Sequence, residues 1–246
     1  DTKLMLLDTP GHVDFSAEME RTLQVLDYAV LVISGREGVQ GHTVTLWKLL
    51  QKYEIPVFLF INKMDLEGAD RAQILEELQS SLSAGCLDFE DPEEEQAAMC
   101  EEGLLEEYLE TGHISVPSMR NSISNRKIFP CYFGSALRMS GVEGFLDGIV
   151  QFTEEPSYPK QFGARIYKIT RDPQGMRLTH MKITGGILSV KETLDLPDAP
   201  GASGEKVNQI RIYSGGKYQT VQEAEAGTVC AVAGLEHTHA GQGLGV

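Results

Sequence analysis

The chain has 246 residues, 41% of them hydrophobic and 23% charged, which is ordinary globular composition for one large or two moderate domains. No apolar run approaches the roughly 18 residues of a membrane span, and Cys86, Cys100, Cys131 and Cys230 lie too far apart for a zinc or disulfide framework, so a reducing cytoplasm is the expected compartment. The formal charge of −15 argues against DNA, but it is unevenly spread: residues 1–156 carry −17 and residues 157–246 carry +2, and the stretch 86–111 alone holds 11 acidic side chains and no Lys or Arg.

Leu4–Leu7 reads as a buried strand that breaks into Asp8-Thr9-Pro10-Gly11-His12. Phe15, Met19, Thr22 and Leu26 then recur at helical spacing, predicting a helix over Val13–Leu26. Ala29–Ile33 is a strand, Val44–Tyr53 a helix, Val57–Ile61 a strand ending in Asn62-Lys63-Met64-Asp65, and Arg71–Leu82 a helix. Strand alternating with helix predicts a doubly wound parallel sheet. Residues 83–127 interrupt it with an acidic, mostly helical insertion and a polar stretch around Pro117–Asn125. The rhythm resumes with a strand over Ile128–Phe133, the turn Gly134-Ser135-Ala136 and a helix over Val142–Thr153, before a linker at Glu154–Pro159. Beyond it the period becomes that of strands: Gly163–Thr170, Arg177–Thr184, Gly186–Ser189, Val207–Tyr213 and Thr228–Val232, separated by Gly-rich turns, which favours a small β-barrel. The chain starts inside an apparent core strand and ends without a stop signal, so a truncated protein is expected.

Polar loops at the carboxyl ends of parallel strands are where open α/β sheets place ligands. Asp65 can accept hydrogen bonds from the ring N–H and exocyclic amine of guanine, an arrangement adenine does not present, while Asn62 bridges loops and the Lys63 stem lies across the ring. Asn-Lys-x-Asp is also compatible with a plain left-handed turn. Asp8 can hold a magnesium-bound water, the Gly11 amide can donate to a γ-phosphate oxygen, and His12 can orient an attacking water; an N-cap is the alternative role for Asp8. Gly134-Ser135-Ala136 can turn backbone N–H groups toward the guanine oxygen. Glu236-His237-Thr238-His239 lacks a further ligand to complete a metal site. The acidic run 88–110 is expected to be an exposed helix face, with a docking patch for a basic protein as the alternative.

On Asp8–Phe15, Asn62–Asp65, Gly134–Ala136, Gly163–Ile169, Lys206–Arg211, Ala226–Thr228 and Ala233–Leu235, the chain resembles translational GTPases of the elongation factor G type. Leu23–Asp27 and Leu104–Leu109 make it most similar to the tetracycline-resistance ribosomal protection proteins. The resemblance implies an α/β P-loop-NTPase-like G domain over 1–156, with the insertion at 83–127, followed by an all-β translation-factor barrel over 160–246. It implies GTP hydrolysis on the ribosome with His12 as catalytic residue. Asp8, Thr9, Pro10, Gly11, Asn62, Lys63, Asp65, Ser135 and Ala136 would bind GTP or GDP, and Asp8 would hold Mg²⁺ through water. The expected partners are ribosomal RNA and proteins, with neither membrane nor DNA, and the protein is expected to be a monomer.

Elongation factor G and release factor three share both domains and remain alternatives, as does a non-catalytic ribosome or RNA contact module. Gly-x-x-x-x-Gly-Lys-[Ser/Thr] occurs nowhere in the 246 residues, nor does a switch threonine region. This chain is therefore expected to bind GTP weakly or not at all and not to hydrolyse it. Tight binding in isothermal titration would overturn that expectation.

Overall fold

The computed structural model describes residues 4–9, 16–90, 93–196 and 204–245. These form two compact units, one comprising residues 26–155 and the other 1–25 with 156–246.

The helix α1 (Ser16–Leu23) falls in the second unit, and residues 26–155 begin with β1 (Ala29–Ser34), α2 (Gly41–Lys52), β2 (Val57–Asn62), α3 (Arg71–Ser81) and β3 (Cys86–Asp88). Three helices of the insertion follow, α4 (Glu94–Ala98), α5 (Glu102–Thr111) and α6 (Val116–Ser124), then β4 (Phe129–Phe133) and α7 (Val142–Phe152). The four strands pair in parallel in the order β1-β2-β4-β3. Val57–Ile61 is buried on both faces, as the centre of a parallel sheet between two helical layers requires. On one face Trp47 of α2 meets Phe129 edge-on at 4.6 Å between ring centroids. On the other, Phe145 of α7 packs against Phe60 at 5.1 Å and Tyr132 at 5.4 Å. Gly148 makes this approach possible, because a Cβ there would lie 1.8 Å from the Tyr132 hydroxyl. Edge strand β1 alternates instead, burying Leu31 and Ile33 and leaving Val30 and Val32 41% and 59% exposed.

The polar stretch around Pro117–Asn125 is helix α6. Its first turn carries Pro117, and Ser115 caps it by accepting from the Ser118 amide, so residues that look like turn signals are helix-start signals here. Part of the acidic run also has fixed partners. Glu94 accepts from the Ile114 amide at 2.9 Å, and Glu107 from the Ser115 amide at 3.0 Å. The edge strand β3, which lies inside the stretch 83–127 expected to be a mostly helical insertion, ends at Asp88. That carboxylate takes two hydrogen bonds from Arg71, at 2.6 and 2.5 Å.

Leu4–Leu7 corrects the expectation of a buried strand. These residues have no regular secondary structure, and Leu6 is 88% exposed. A short apolar run becomes a strand only where a neighbouring backbone completes its ladder, and among the described residues none pairs with it. The segment belongs to the second unit, where the Val229 amide donates to the Met5 sulfur.

That unit continues with β5 (Gly163–Arg171), β6 (Arg177–Gly185), β7 (Ile187–Ser189), β8 (Thr193–Leu194), β9 (Glu205–Lys206), β10 (Gln209–Ser214), β11 (Lys217–Val221), β12 (Glu223–Glu225), β13 (Val229–Ala233) and β14 (Gly243–Gly245). Six of them form an antiparallel sheet, β11-β10-β13-β6-β5-β14, and β7 pairs with β12 and β8 with β9. Ile166, Met181, Ile183, Ile210 and Val232 meet in its core. Helix α1 contacts β5, with Met19 and Leu23 buried. The fold is thus a parallel α/β sheet followed by an antiparallel β unit. No helix among the described residues is long and apolar enough to cross a membrane.

One buried group of the β unit gives it a pH signature. His180 bonds the Thr170 hydroxyl at 2.8 Å, and burial, helped by the Lys168 charge, pushes its imidazole down to about 4. The unfolded chain takes up that proton below about pH 6.5, so between the two values the unfolded state binds more protons than the folded one. Stability is therefore expected to fall by up to about 3 kcal/mol as pH drops from about 6.5 to about 4. Denaturant midpoints measured across this range check it, and His180→Asn should flatten that part of the curve.

Candidate functional site

The parallel register places the ends of β2 and β4 side by side, with Ile61 opposite Phe133, so the loops that follow them leave the sheet together. Asn62 ties them. Its side-chain oxygen accepts from the Lys63 amide at 2.8 Å and from the Ala136 amide at 2.9 Å, 74 positions along the chain. The Met64 amide donates to the Gly134 carbonyl at 3.0 Å, and the Gly35 amide after β1 donates to the Asn62 carbonyl at 2.7 Å. Lys63 sits at φ 65°, a left-handed conformation that a non-glycine residue adopts only when its surroundings hold it.

Ser135 and Ser140 exchange backbone hydrogen bonds at 2.9 and 3.1 Å, closing residues 135–140 into a tight loop just before α7. Gly134 is needed at its base, since a Cβ there would lie 2.2 Å from the Ser140 carbonyl oxygen. Within the loop the amides of Ser135, Ala136, Arg138, Met139 and Ser140 all have acceptors. The Leu137 amide has none among the described residues, and its residue is 92% exposed. Sequence reading aims the amides of Ser135 and Ala136 at a ligand; internal bonds already occupy both, and the free donor is one residue further on.

Asp65 faces this loop. Its carboxylate accepts from Arg138 Nε at 3.0 Å, and the neighbouring Ser135 hydroxyl and then Arg138 hold it below the ordinary carboxylate range. A cleft of about 400 Å³ opens between the loops, lined by Met64, Asp65, Phe133, Ser135 and Arg138, with Arg71 and Glu90 on its far wall. Arg71 lies 4.6 Å over the Phe133 ring and reaches Glu90 at 2.8 Å. The cleft therefore offers an ionised acceptor, and the loop that carries the free Leu137 amide borders it through Ser135 and Arg138.

Of the other residues singled out in the sequence, Asp8 is exposed and Thr9 half-buried in irregular chain, and Pro10, Gly11 and His12 lie outside the described residues. The loops after β2 and β4 thus supply groups suited to a purine base. Arg138 carries no signal in the sequence, because which side chain of a closed loop folds back onto Asp65 depends on the loop's geometry. At the other candidate site, His237 pairs with Glu205 at 2.5 Å. Among the described residues no three His, Cys, Asp or Glu side chains cluster as a metal site.

Comparison with known proteins brings likenesses in both sequence and structure. The family described as Elongation factor Tu GTP binding domain matches residues 1–155. The crystal structure of ttk003000868 from Thermus thermophilus superposes with a TM-score of 0.81 over 97% of this chain, at 23% sequence identity. At that identity the likeness concerns the fold. The matched region amounts to 43% of that protein, so this chain spans less than half its length.

Proposed function

Since this chain belongs to the elongation factor Tu GTP-binding domain family, we propose that residues 62–65 and 135–137 read the base of a guanine nucleotide in a ribosome-associated translational GTPase. The observation that carries this reading is the Asn62 bridge, which ties the loop bearing the Asp65 carboxylate to the loop bearing the free Leu137 amide. Guanine offers N1–H and an exocyclic amine to a carboxylate and an O6 acceptor to an amide. Adenine offers the reverse pattern at positions 1 and 6. The Lys63 stem supplies an apolar surface for the ring.

The remaining roles rest on the likeness of Asp8–His12 to the family motif. Asp8 would hold Mg²⁺ through water, beside Thr9 and Pro10, with the Gly11 amide on the γ-phosphate and His12 aligning the attacking water. The metal, when bound, neutralises charge on the phosphoryl oxygens. Ribosomal RNA and proteins are the proposed partners of a monomeric, cytoplasmic protein. Among the subfamilies, the ribosomal protection proteins that confer tetracycline resistance are favoured over elongation factor G and release factor three.

Titrating GDP and ADP into the 246-residue chain, with amide shifts of Lys63 and Leu137 as readout, tests the base reading. GDP alone should move them, and equal responses to both nucleotides would sink it. A second reading is a non-catalytic platform for RNA or protein. An upstream Gly-x-x-x-x-Gly-Lys-[Ser/Thr] about 60 to 80 residues before Asp8, with ribosome-stimulated GTP turnover by the intact protein, would exclude it. Tetracycline release from ribosomes separates the subfamilies.

A further inference from the structure

The six-stranded antiparallel sheet has a composition unlike the rest of the chain. Its strands carry seven Lys or Arg, three in β5, two in β6 and one each in β10 and β11, and no Asp or Glu, in a protein of net charge −15. Side chains alternate across a strand, and Ile166, Met181, Ile210 and Val232 take the core side. Lys168, His180, Ala231 and Arg211, which stand opposite one another in register, therefore share the outer side. Aromatic rings run along it. Tyr167 meets His180 at 6.1 Å between ring centroids, His180 meets Tyr213 at 6.0 Å, and Tyr213 meets Tyr218 at 5.4 Å. Arg211 anchors the end of this row: it lies 4.3 Å from the centre of the Tyr218 ring and is ion-paired to Asp172 at 3.1 Å, which neutralises the carboxylate of the β5–β6 turn. Arg165, on β5, bonds Gln24 of the amino-terminal segment, so the open part of the face is its β10–β11 end, where Tyr213 and Tyr218 are 38% and 47% exposed.

We propose that this face binds an unpaired stretch of RNA, with bases stacked on Tyr213 and Tyr218 and the phosphates drawn to the basic sheet, Lys168 foremost. The choice of RNA rests on the ribosomal partners proposed above. An exposed ring accepts any base, because every base has a π-face. Cations without neighbouring carboxylates attract phosphates and read no sequence. A duplex keeps its bases inside and offers the tyrosines nothing to stack on. An acidic protein segment would use the cations and leave the rings idle. The face therefore separates single strands from duplexes and is indifferent to sequence.

The test is fluorescence anisotropy of a labelled oligoadenylate RNA of about ten nucleotides with the 246-residue chain at low salt, with circular dichroism to confirm the fold of each variant. The RNA strand should bind, and duplex RNA of the same length and a polyglutamate peptide should compete poorly. Tyr218→Leu keeps apolar bulk and loses the ring, and should weaken binding about five- to hundredfold, the loss of one stacked base. Tyr218→Phe should restore it. Lys168→Gln should weaken binding less and make the slope of log affinity against log salt shallower by about 0.7, a change that a purely structural role would not produce. No binding at low salt, undiminished binding by Tyr218→Leu, or displacement by duplex or polyglutamate as effective as by the RNA strand would each overturn the proposal, and a DNA strand that binds more tightly would overturn the choice of RNA. The guanine reading is tested by GDP at residues 62–65 of the other unit, so it stands or falls separately.

Discussion

Replacing Asp65 with Asn is expected to lower GDP affinity by on the order of tenfold to a hundredfold, the range for losing one bidentate base contact. The carboxylate only accepts, whereas an amide presents one acceptor and one donor to the same edge. Its oxygen still takes N1–H, but its NH₂ group meets the guanine amine, donor against donor. The same amide suits xanthine, whose position 2 is a carbonyl, so the variant is expected to favour XDP over GDP. Titration of Asp65→Asn with both nucleotides checks this, with circular dichroism to confirm the fold. Undiminished GDP affinity would mean that Asp65 is a structural partner of Arg138 and nothing more.

Phe145→Ala is expected to destabilise the unit formed by residues 26–155 by about 3–5 kcal/mol, as a cavity left by a buried aromatic ring does. Phe145 is 9% exposed and rests on both Phe60 and Tyr132. Its removal uncovers the strands that carry the two loops of the cleft. The neighbouring Gly144 provides the contrast. A Cβ there meets nothing within 4 Å, so Gly144→Ala should be neutral or gain up to about 1 kcal/mol from helix propensity. Urea unfolding of the two variants measures the difference. A shift of similar size and sign in both would show that α7 is not packed on the sheet as described.

The contrast between β2 and Leu4–Leu7 shows what a sequence can reveal. Val57–Ile61 is apolar over its whole length and bounded by turn residues, and it is the buried centre of the sheet. Leu4–Leu7 has the same local character and no ladder partner among the described residues. Whether a short apolar run becomes a strand is decided by distant backbone, which local pattern does not encode. Helix α6 fails to stand out for the opposite reason. Its Ser115 cap and Pro117 are local signals, but the same residues also begin turns.

At the cleft, the nearness of Asn62–Asp65 to Gly134–Ala136 can be read from strand order alone, because parallel neighbours release their loops at one edge. Which amides stay free cannot. That depends on the Ser135–Ser140 closure and on where the Asn62 oxygen points. The ion pair between Arg138 and Asp65 spans 73 positions and follows from the same closure. His12 lies outside the described residues, so its role rests on the motif alone.

The single oxygen of Asn62 that grips an amide on each side makes the two loops one mechanical piece. Gly141, at φ 75°, passes directly from that piece into α7. Ala136 therefore lies one closed loop away from the root of an eleven-residue rod. The rod's outer flank presents Leu146 and Val150, 47% and 44% exposed. One amide group thus holds the two loops together at the root of that helix.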